Sequence, residues 1–261
     1  MNMDEYAEGV PSWIDLSSPD PATAAAFYAA LFGWECPEGP PEAGGYRLCT
    51  LSGRTVAGIG PQMSPGPPAW ATYVNTADAD AAAARAAAAG GQVLAPPFDV
   101  LDAGRMGIIA DPTGAVIGVW QPGGHRGAQI VNEPGAWGWS ELVATDLDAS
   151  IGFLTQVFGW GIGRNPPEGP VQYVEWKVDG RSVSGAMPKP PSMPESVPAY
   201  WGVYFIVGDA DATAATIAEL GGRIMVQPTD IEPGRFAMAV DPTGAMFSIL
   251  ATALAGTGDE P

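Results

Sequence analysis

The chain has 261 residues, and its 46% hydrophobic and 15% charged residues are typical of a packed globular protein. Eleven Lys and Arg against 29 Asp and Glu give a net charge of −18, which disfavours binding to nucleic acids or anionic membranes. Residues 1–12 lack the features of a signal peptide, no stretch has the roughly 18 apolar residues of a membrane span, and two cysteines do not suggest a disulfide framework, so we expect a cytoplasmic protein.

The first half of the chain predicts strands and two helices in a regular order. The alternating strand Val10 to Leu16 is followed by Asp20 and Pro21, which signal the start of a helix that ends at Gly33. The further predicted elements are strands at 46–51, 55–60 and 69–75, a helix at 78–89, and strands at 92–95, 106–110 and 115–121. We interpret this order as two successive βαβββ modules.

The second half repeats these signals. Trp13 and Asp20 recur 126 residues later as Trp139 and Asp146, and the segment Asp111-Pro112-Thr113-Gly114-Ala115 recurs letter for letter at 241–245. Residues 122–136 contain Pro-Gly pairs and no periodic pattern, which indicates a linker. The sequence therefore predicts a domain at 1–121, a linker at 122–136 and a second domain at 137–261.

The order of these motifs resembles the glyoxalase, bleomycin-resistance and extradiol-dioxygenase superfamily, also called the vicinal oxygen chelate superfamily. The resemblance is carried twice by a strand entering an aspartate, an aromatic helix ending in Gly-Trp, and a closing Asp-Pro-Thr-Gly strand. It is strongest to actinobacterial tandem-domain members, which include accessory proteins of anthracycline clusters. The resemblance implies an α+β fold, in which each half pairs two βαβββ modules into a U-shaped sheet that holds a ligand on its cupped face.

Metal-dependent members of this superfamily carry ligands at four positions of a half. Carried onto this chain, those positions fall at Trp13, Gly58, Thr72 and Gly118, and again at Trp139, Gly185, Val203 and Ser248. These side chains offer no imidazole, carboxylate or thiolate, and the sole histidine, His125, lies in the linker, so we expect no metal and no cofactor. A carboxylate-only Mg²⁺ or Mn²⁺ site through Asp15 or Glu141 is the alternative.

Strand alternation predicts which side chains face a ligand. It places Trp13 with Asp15, and Trp139 with Glu141, on one face of their strands. We predict that Tyr73 and Tyr204 point away from that face. The candidate ligand-binding residues are Trp13, Asp15, Trp70, Thr72, Trp120, Trp139, Glu141, Trp201, Val203 and Ser248.

An indole beside a carboxylate suits a planar aromatic ligand that carries a positive charge. The alternative is that Trp13 and Trp139 only fill the space of an absent metal. Two further sets of side chains are expected to be structural. Arg105 and Arg235 are predicted to be solvated or paired with carboxylates, with binding of an anion as the alternative. The predicted core residues are Phe27, Tyr28, Trp34 and Trp160.

Two functions follow from these features. The first is metal-independent binding of a small aromatic or cationic natural product, for sequestration of an antibiotic or as an accessory to its biosynthesis, with the enzyme that makes the ligand as a partner. The second is a lyase, isomerase or oxygenase with a non-standard metal site. No nucleophile elbow, phosphate loop or zinc motif favours catalysis, and we expect a monomer with an internal pseudo-twofold axis.

Overall fold

The computed structural model describes residues 1–63, 65–164 and 172–252. The first half contains a short 3₁₀ helix at Pro41–Ala43 and two α-helices, α1 (Pro21–Phe32) and α2 (Ala79–Ala88), within the described residues. Its strands are β1 (Pro11–Ser18), β2 (Arg47–Leu51), β3 (Arg54–Pro61), β4 (Ala69–Asn75), β5 (Gln92–Val100), β6 (Gly104–Ala110) and β7 (Val116–Pro122).

The second half repeats this arrangement, with helices α3 (Leu147–Phe158) and α4 (Ala210–Glu219) in its described part. Its strands are β8 (Trp137–Ala144), β9 (Gly161–Arg164), β10 (Val174–Val178), β11 (Arg181–Pro188), β12 (Tyr200–Ile206), β13 (Arg223–Ile231), β14 (Gly234–Val240) and β15 (Met246–Thr252). The predicted α+β tandem repeat is confirmed.

Each half forms one mixed sheet. Among the described residues, the strand order is β2-β3-β1-β4-β7-β6-β5 in the first half and β13-β14-β15-β12-β8-β11-β10-β9 in the second. The central strands β1 and β4 pair antiparallel, and each also pairs in parallel with a strand of its own module. Strands β8 and β12 do the same in the second half. The two modules of a half are therefore joined edge to edge into one continuous curved sheet.

One module departs from the predicted βαβββ order. Between α1 and β2 the structure has an isolated bridge between Glu35 and Thr50, where the second half has the strand β9. The segment that follows Glu35 contains Pro37, Pro40 and Pro41. Proline has no amide hydrogen to donate to a neighbouring strand, so this segment cannot continue the ladder.

The helix boundaries follow the predicted signals. The side chain of Asp20 accepts a hydrogen bond from the amide of Thr23, and Asp146 caps α3 in the same way. Both helices end at a glycine in the left-handed conformation, Gly33 with φ 74° and Gly159 with φ 70°. No helix in the described part of the chain is long and apolar enough to cross a membrane.

The two halves share their hydrophobic cores. One buried cluster joins α1 and β1 of the first half to α4 and β15 of the second, and the other joins α2 to α3 and β8. Polar contacts cross the same boundary. The Tyr28 hydroxyl donates to Asp241 at 3.1 Å, the hydroxyls of Thr72 and Ser140 lie 2.7 Å apart, and Ser150 donates to Asp111 at 2.5 Å. The predicted core residues Phe27, Tyr28, Trp34 and Trp160 are all buried.

The cysteines differ from the prediction. Cys36 and Cys49 form a disulfide that ties the segment after α1 to β2. Their lack of counterparts in the second half argued against a disulfide framework. A bridge within one copy needs no counterpart, however, and at the position that matches Cys49 the second half buries Trp176 instead.

Candidate functional site

The register between β1 and β4 decides which side chains line the cupped face of the first half. Trp13 lies opposite Tyr73, and Asp15 lies opposite Ala71. Directly opposed residues of an antiparallel pair share a face, so Tyr73 points to the same side as Trp13 and Asp15. The prediction that Tyr73 points away is wrong, because alternation defines the two faces of each strand but not which face of β4 matches that of β1.

The same correction applies to the second half. Trp139 lies opposite Tyr204, and Glu141 lies opposite Gly202. The Tyr204 hydroxyl donates a hydrogen bond of 2.8 Å to the Oε1 atom of Glu141. Tyr204 therefore faces the cup, contrary to prediction.

Four predicted ligand-binding residues lie on the opposite, buried face. The indole nitrogen of Trp70 donates to the Tyr28 hydroxyl at 2.9 Å, and Thr72 contacts Ser140 of the other half. Trp201 packs edge-on against Trp160, with ring centres 6.2 Å apart. These three residues and the fully buried Val203 pack the interior of the molecule, on the side of the sheets away from the cups.

A chain of hydrogen bonds connects the polar residues of the first cup. The Trp13 indole donates to the Tyr46 hydroxyl at 3.1 Å, and Tyr46 donates to Oδ2 of Asp15 at 3.3 Å. Tyr73 donates to Oδ1 of the same carboxylate at 3.1 Å. Asp15 thus has a tyrosine on each of its oxygens.

The second cup contains the same chain. Trp139 donates to the Tyr173 hydroxyl at 3.0 Å, and Tyr173 and Tyr204 both hydrogen-bond to Glu141. Tyr46 and Tyr173 were missed as site residues in the sequence. They are separated by 127 residues, the same separation as between Gly53 and Gly180. An alignment of the two halves over this segment would therefore have identified both tyrosines as a matching pair.

These tyrosines fill the space directly over three of the positions at which the family resemblance predicts metal ligands. A Cβ atom added to Gly58 would lie 1.7 Å from the Tyr46 hydroxyl, and one added to Gly185 would lie 1.9 Å from the Tyr173 hydroxyl. At Gly118 it would lie 2.1 Å from the ring of Tyr73. No residue larger than glycine fits at these positions while the phenols are in place.

The remaining donors do not fit a divalent ion. The first cup offers one carboxylate, Asp15, and two phenols that already hydrogen-bond to it. The second cup adds Glu175, which pairs with Lys177, to the matching set around Glu141. Divalent ions prefer several imidazole, carboxylate or thiolate ligands that are free to coordinate. Within residues 1–63, 65–164 and 172–252, no group of three or more His, Cys, Asp and Glu is placed to hold a metal. For the carboxylate-only alternative, the fold places Glu175 on the same face as Glu141, whereas the matching position beside Asp15 is Leu48.

Burial shifts the titration of both carboxyl groups towards neutral pH. Loss of solvent raises the pKa of Asp15 to about 6, although the hydrogen bonds from Tyr73 and Tyr46 act to lower it. Burial likewise raises the pKa of Glu141 against the hydrogen bonds from Tyr204 and Tyr173. A carboxyl of this kind is a weaker ion-pair partner for a cationic ligand than an exposed one.

The two cups differ in how much of their aromatic surface is exposed. In the first cup Trp13, Tyr73 and Trp120 are only 3 to 5% exposed. The imidazole of His125 lies edge-on to Trp13, with ring centres 4.2 Å apart. In the second cup Trp139 and Tyr204, the residues that match Trp13 and Tyr73, are both partly exposed. Trp139 and Tyr204 are therefore open to solvent where Trp13 and Tyr73 are covered, whereas Tyr46 and Tyr173 are partly exposed in both cups.

Ser248 and Trp120 lie in the cups, and the two predicted arginines form ion pairs. Ser248 lies opposite Tyr204 and is buried in the floor of the second cup, and Trp120 donates from its indole to the carbonyl of His125. Arg105 pairs with Asp80 and Asp99, and Arg235 pairs with Asp211 and Asp230. The prediction that these arginines pair with carboxylates is confirmed.

Comparison with known proteins identifies the family of this chain. The sequence model of the Glyoxalase/Bleomycin resistance protein/Dioxygenase superfamily matches residues 11–119 and again 127–249. The chain therefore belongs to this superfamily, with one family unit in each half.

Among individual relatives, the chain is 44% identical to CFP32 of Mycobacterium tuberculosis over 254 residues, which cover 94% of this chain and 96% of that protein. It is 38% identical to the anthracycline biosynthesis protein DauV of Streptomyces sp. strain C5, with 95% of each chain covered. Among solved structures, the Mn(II)-bound glyoxalase from Novosphingobium aromaticivorans has a TM-score of 0.66 at 18% identity, covering 94% of this chain and 83% of that one. At that identity the likeness concerns the fold alone.

Proposed function

We propose that this protein binds a small planar aromatic molecule in the cup of its second half, without a metal ion, as an accessory protein in natural-product biosynthesis or sequestration. The observation that carries the proposal is the partly exposed aromatic wall around Glu141. Trp139, Tyr173, Tyr204 and Phe236 are all partly exposed there, and the first three belong to one hydrogen-bonded chain with Glu141.

Aromatic rings held in fixed positions are well suited to stack on a flat ligand, since little side-chain freedom is lost on binding. The indole of Trp139 is oriented by its bond to Tyr173, and Tyr204 is oriented by its bond to Glu141. Phe236 on β14 packs near Tyr204, with ring centres 6.5 Å apart. Together these rings form a wall on which an apolar ring system can lie.

The carboxyl group of Glu141 holds the aromatic wall in place by accepting hydrogen bonds, and it is too buried to be a good ion-pair partner for a cationic ligand. It is 8% exposed and accepts the tyrosine hydroxyls. A positive charge on the ligand is therefore not required at this carboxyl. A positively charged ligand gains affinity from the overall charge of −18 of the protein, and this attraction weakens as the salt concentration rises.

The relatives support the biosynthetic part of the proposal. Two of them, DauV and DnrV, are named as anthracycline biosynthesis proteins, and the chain is 38% and 37% identical to them. An anthracycline, which has a planar fused-ring system, is therefore the first ligand to test. A catalytic role with a metal is the competing function, and the donor set of the cups does not favour it.

Substitutions at the two matching tryptophans test the location of the site. We expect an anthracycline to quench the fluorescence of the wild-type protein at micromolar concentration. Trp139→Leu should weaken binding about fivefold to tenfold, because stacking on one exposed ring contributes about 1–1.4 kcal/mol. Trp13→Leu should leave the affinity within about twofold. Equal losses in both variants, or no quenching of the wild type, would contradict the proposal.

A further inference from the structure

The linker covers the mouth of the first cup. His125 lies against two tryptophans of that cup, with its ring centre 4.2 Å from that of Trp13 and 5.7 Å from that of Trp120. Both contacts are edge-on, at interplanar angles of 78° and 68°. The imidazole therefore covers Trp13, whereas the matching Trp139 of the second half is partly exposed.

The backbone around His125 is held at several points. The His125 amide donates to the carbonyl of Ala103 at 2.9 Å, and its carbonyl accepts from the Trp120 indole at 3.0 Å. Further along, Ala128 donates to the carbonyl of Ser12 at 2.8 Å. The loop is anchored through its main chain, so the side chain of His125 contributes mainly by filling the cup.

The imidazole itself is an imperfect occupant. Its Nε2 atom is buried and has no hydrogen-bond partner, a situation that typically costs about 1–3 kcal/mol. Burial also lowers the pKa of His125 to about 4, so that the ring is uncharged at neutral pH. The first cup thus holds a neutral aromatic ring whose polar atom is unsatisfied.

A cavity adjoins this ring. It has a volume of about 320 Å³ and lies between the N-terminal segment, β2 and the linker, with Met3, Tyr6, Leu48 and His125 in its wall. This volume lies at the lower end of the range of about 300–1,000 Å³ that small-molecule sites have. The space beside His125 is therefore large enough for a compact ring system.

We propose that His125 stands in for an aromatic ligand in the first cup, and that this cup together with the adjoining cavity is a latent second site for a small, uncharged, planar ring system. The proposal takes its ligand class from the proposed function of the second cup. It assigns to the linker the role of keeping one of two similar sites closed.

The test uses the indole N–H resonances of the nine tryptophans in the full chain, with 2-naphthol as a neutral, planar, bicyclic probe. The Trp13 resonance is assigned from its loss in Trp13→Phe. We expect 2-naphthol to shift this resonance saturably in His125→Ala and in His125→Ser. We expect no shift in the wild type or in His125→Phe, in which an aromatic ring still fills the cup.

A folded His125→Ala or His125→Ser variant whose Trp13 resonance does not respond would overturn the inference, as would a response in the wild type. Failure of both variants to fold would also overturn it, since a ring that can be exchanged for a ligand is not essential for folding. The Trp139 resonance reports on the second cup when an anthracycline replaces 2-naphthol in the same experiment. Failure of the proposed function, seen as no response of Trp139 to an anthracycline, is therefore distinguishable from failure of this inference.

Discussion

At the scale of single residues, the cups are defined by tyrosines that fill the space over Gly58, Gly185 and Gly118, where the resemblance predicts metal ligands. The alternation within β1 correctly predicted that Trp13 and Asp15 share a face, but the partner strand was assigned the wrong face. Tyr46 was not predicted, because its side chain reaches Asp15 from the residue before β2, a strand that is separated from β1 by β3. Such a contact depends on register, which the sequence of one strand does not contain.

Asp15 makes the stability of the protein depend on pH in a specific way. Its pKa in the folded state, about 6, is above its unfolded value of 3.8, so the favourable contribution is complete below the unfolded pKa and is lost as pH rises through 6. The loss amounts to at most about 3 kcal/mol, less whatever the partial exposure of the side chain screens.

Asp15→Asn removes this titration. In urea unfolding, we expect the stability advantage of the wild type over the variant to fall by up to about 2.4 kcal/mol between pH 4 and pH 7.5. A difference that stays constant across this range would show that the carboxyl does not titrate abnormally.

Gly58 tests the packing of Tyr46 directly. A methyl group on Gly58 would overlap the Tyr46 hydroxyl, so we expect Gly58→Ala to lower the free energy of unfolding by about 1–3 kcal/mol. Gly152, in the middle of α3, has nothing within 4 Å of the added atom. The control Gly152→Ala should therefore raise the free energy of unfolding by about 0.5–1 kcal/mol. Equal effects of the two substitutions would show that Tyr46 does not crowd position 58.

At the scale of elements, the helices were predicted best because their signals are local. Asp20 and Gly33 bound α1 through contacts with residues three or four positions away. The βαβββ interpretation implied a third strand in the first module, and the structure has no strand between α1 and β2. Pro37, Pro40 and Pro41 disfavour a strand there, a signal that the prediction did not use. The disulfide was missed because the two cysteines meet through the pairing of Glu35 with Thr50.

The disulfide gives a prediction for the segment that replaces this strand. Protein purified without reductant should show no reactive thiol after denaturation, and Cys36→Ser with Cys49→Ser should lose about 3 kcal/mol of stability, because the bridge closes a short loop in the unfolded chain. Two thiols per chain in that assay would contradict the bond. Because disulfides are uncommon in a reducing cytoplasm, the bond argues against the predicted localisation, which stays a prediction.

At the scale of the whole molecule, the repeat was visible in the sequence but the sharing of cores was not. Both hydrophobic clusters contain residues of both halves, and Tyr28 and Asp241 bond across the boundary between them. The predicted domain boundaries and the monomeric state stay predictions. Because the cores are shared, we expect that the halves do not fold independently.

We therefore expect a single cooperative unfolding transition for the full chain. The calorimetric enthalpy of unfolding should equal the van't Hoff enthalpy, since neither half can unfold without exposing the core of the other. Two resolved transitions, or a calorimetric enthalpy about twice the van't Hoff value, would show that the halves unfold separately.

The central claim is that the second cup binds a planar aromatic molecule without a metal, and calorimetric titration of an anthracycline into metal-analysed protein tests it most directly. We predict one ligand per chain with the same affinity before and after treatment with EDTA, and no stoichiometric Mn, Fe, Ni or Zn in the untreated protein. Binding that is lost with a stoichiometric metal on chelation, and restored when the metal is returned, would contradict the claim.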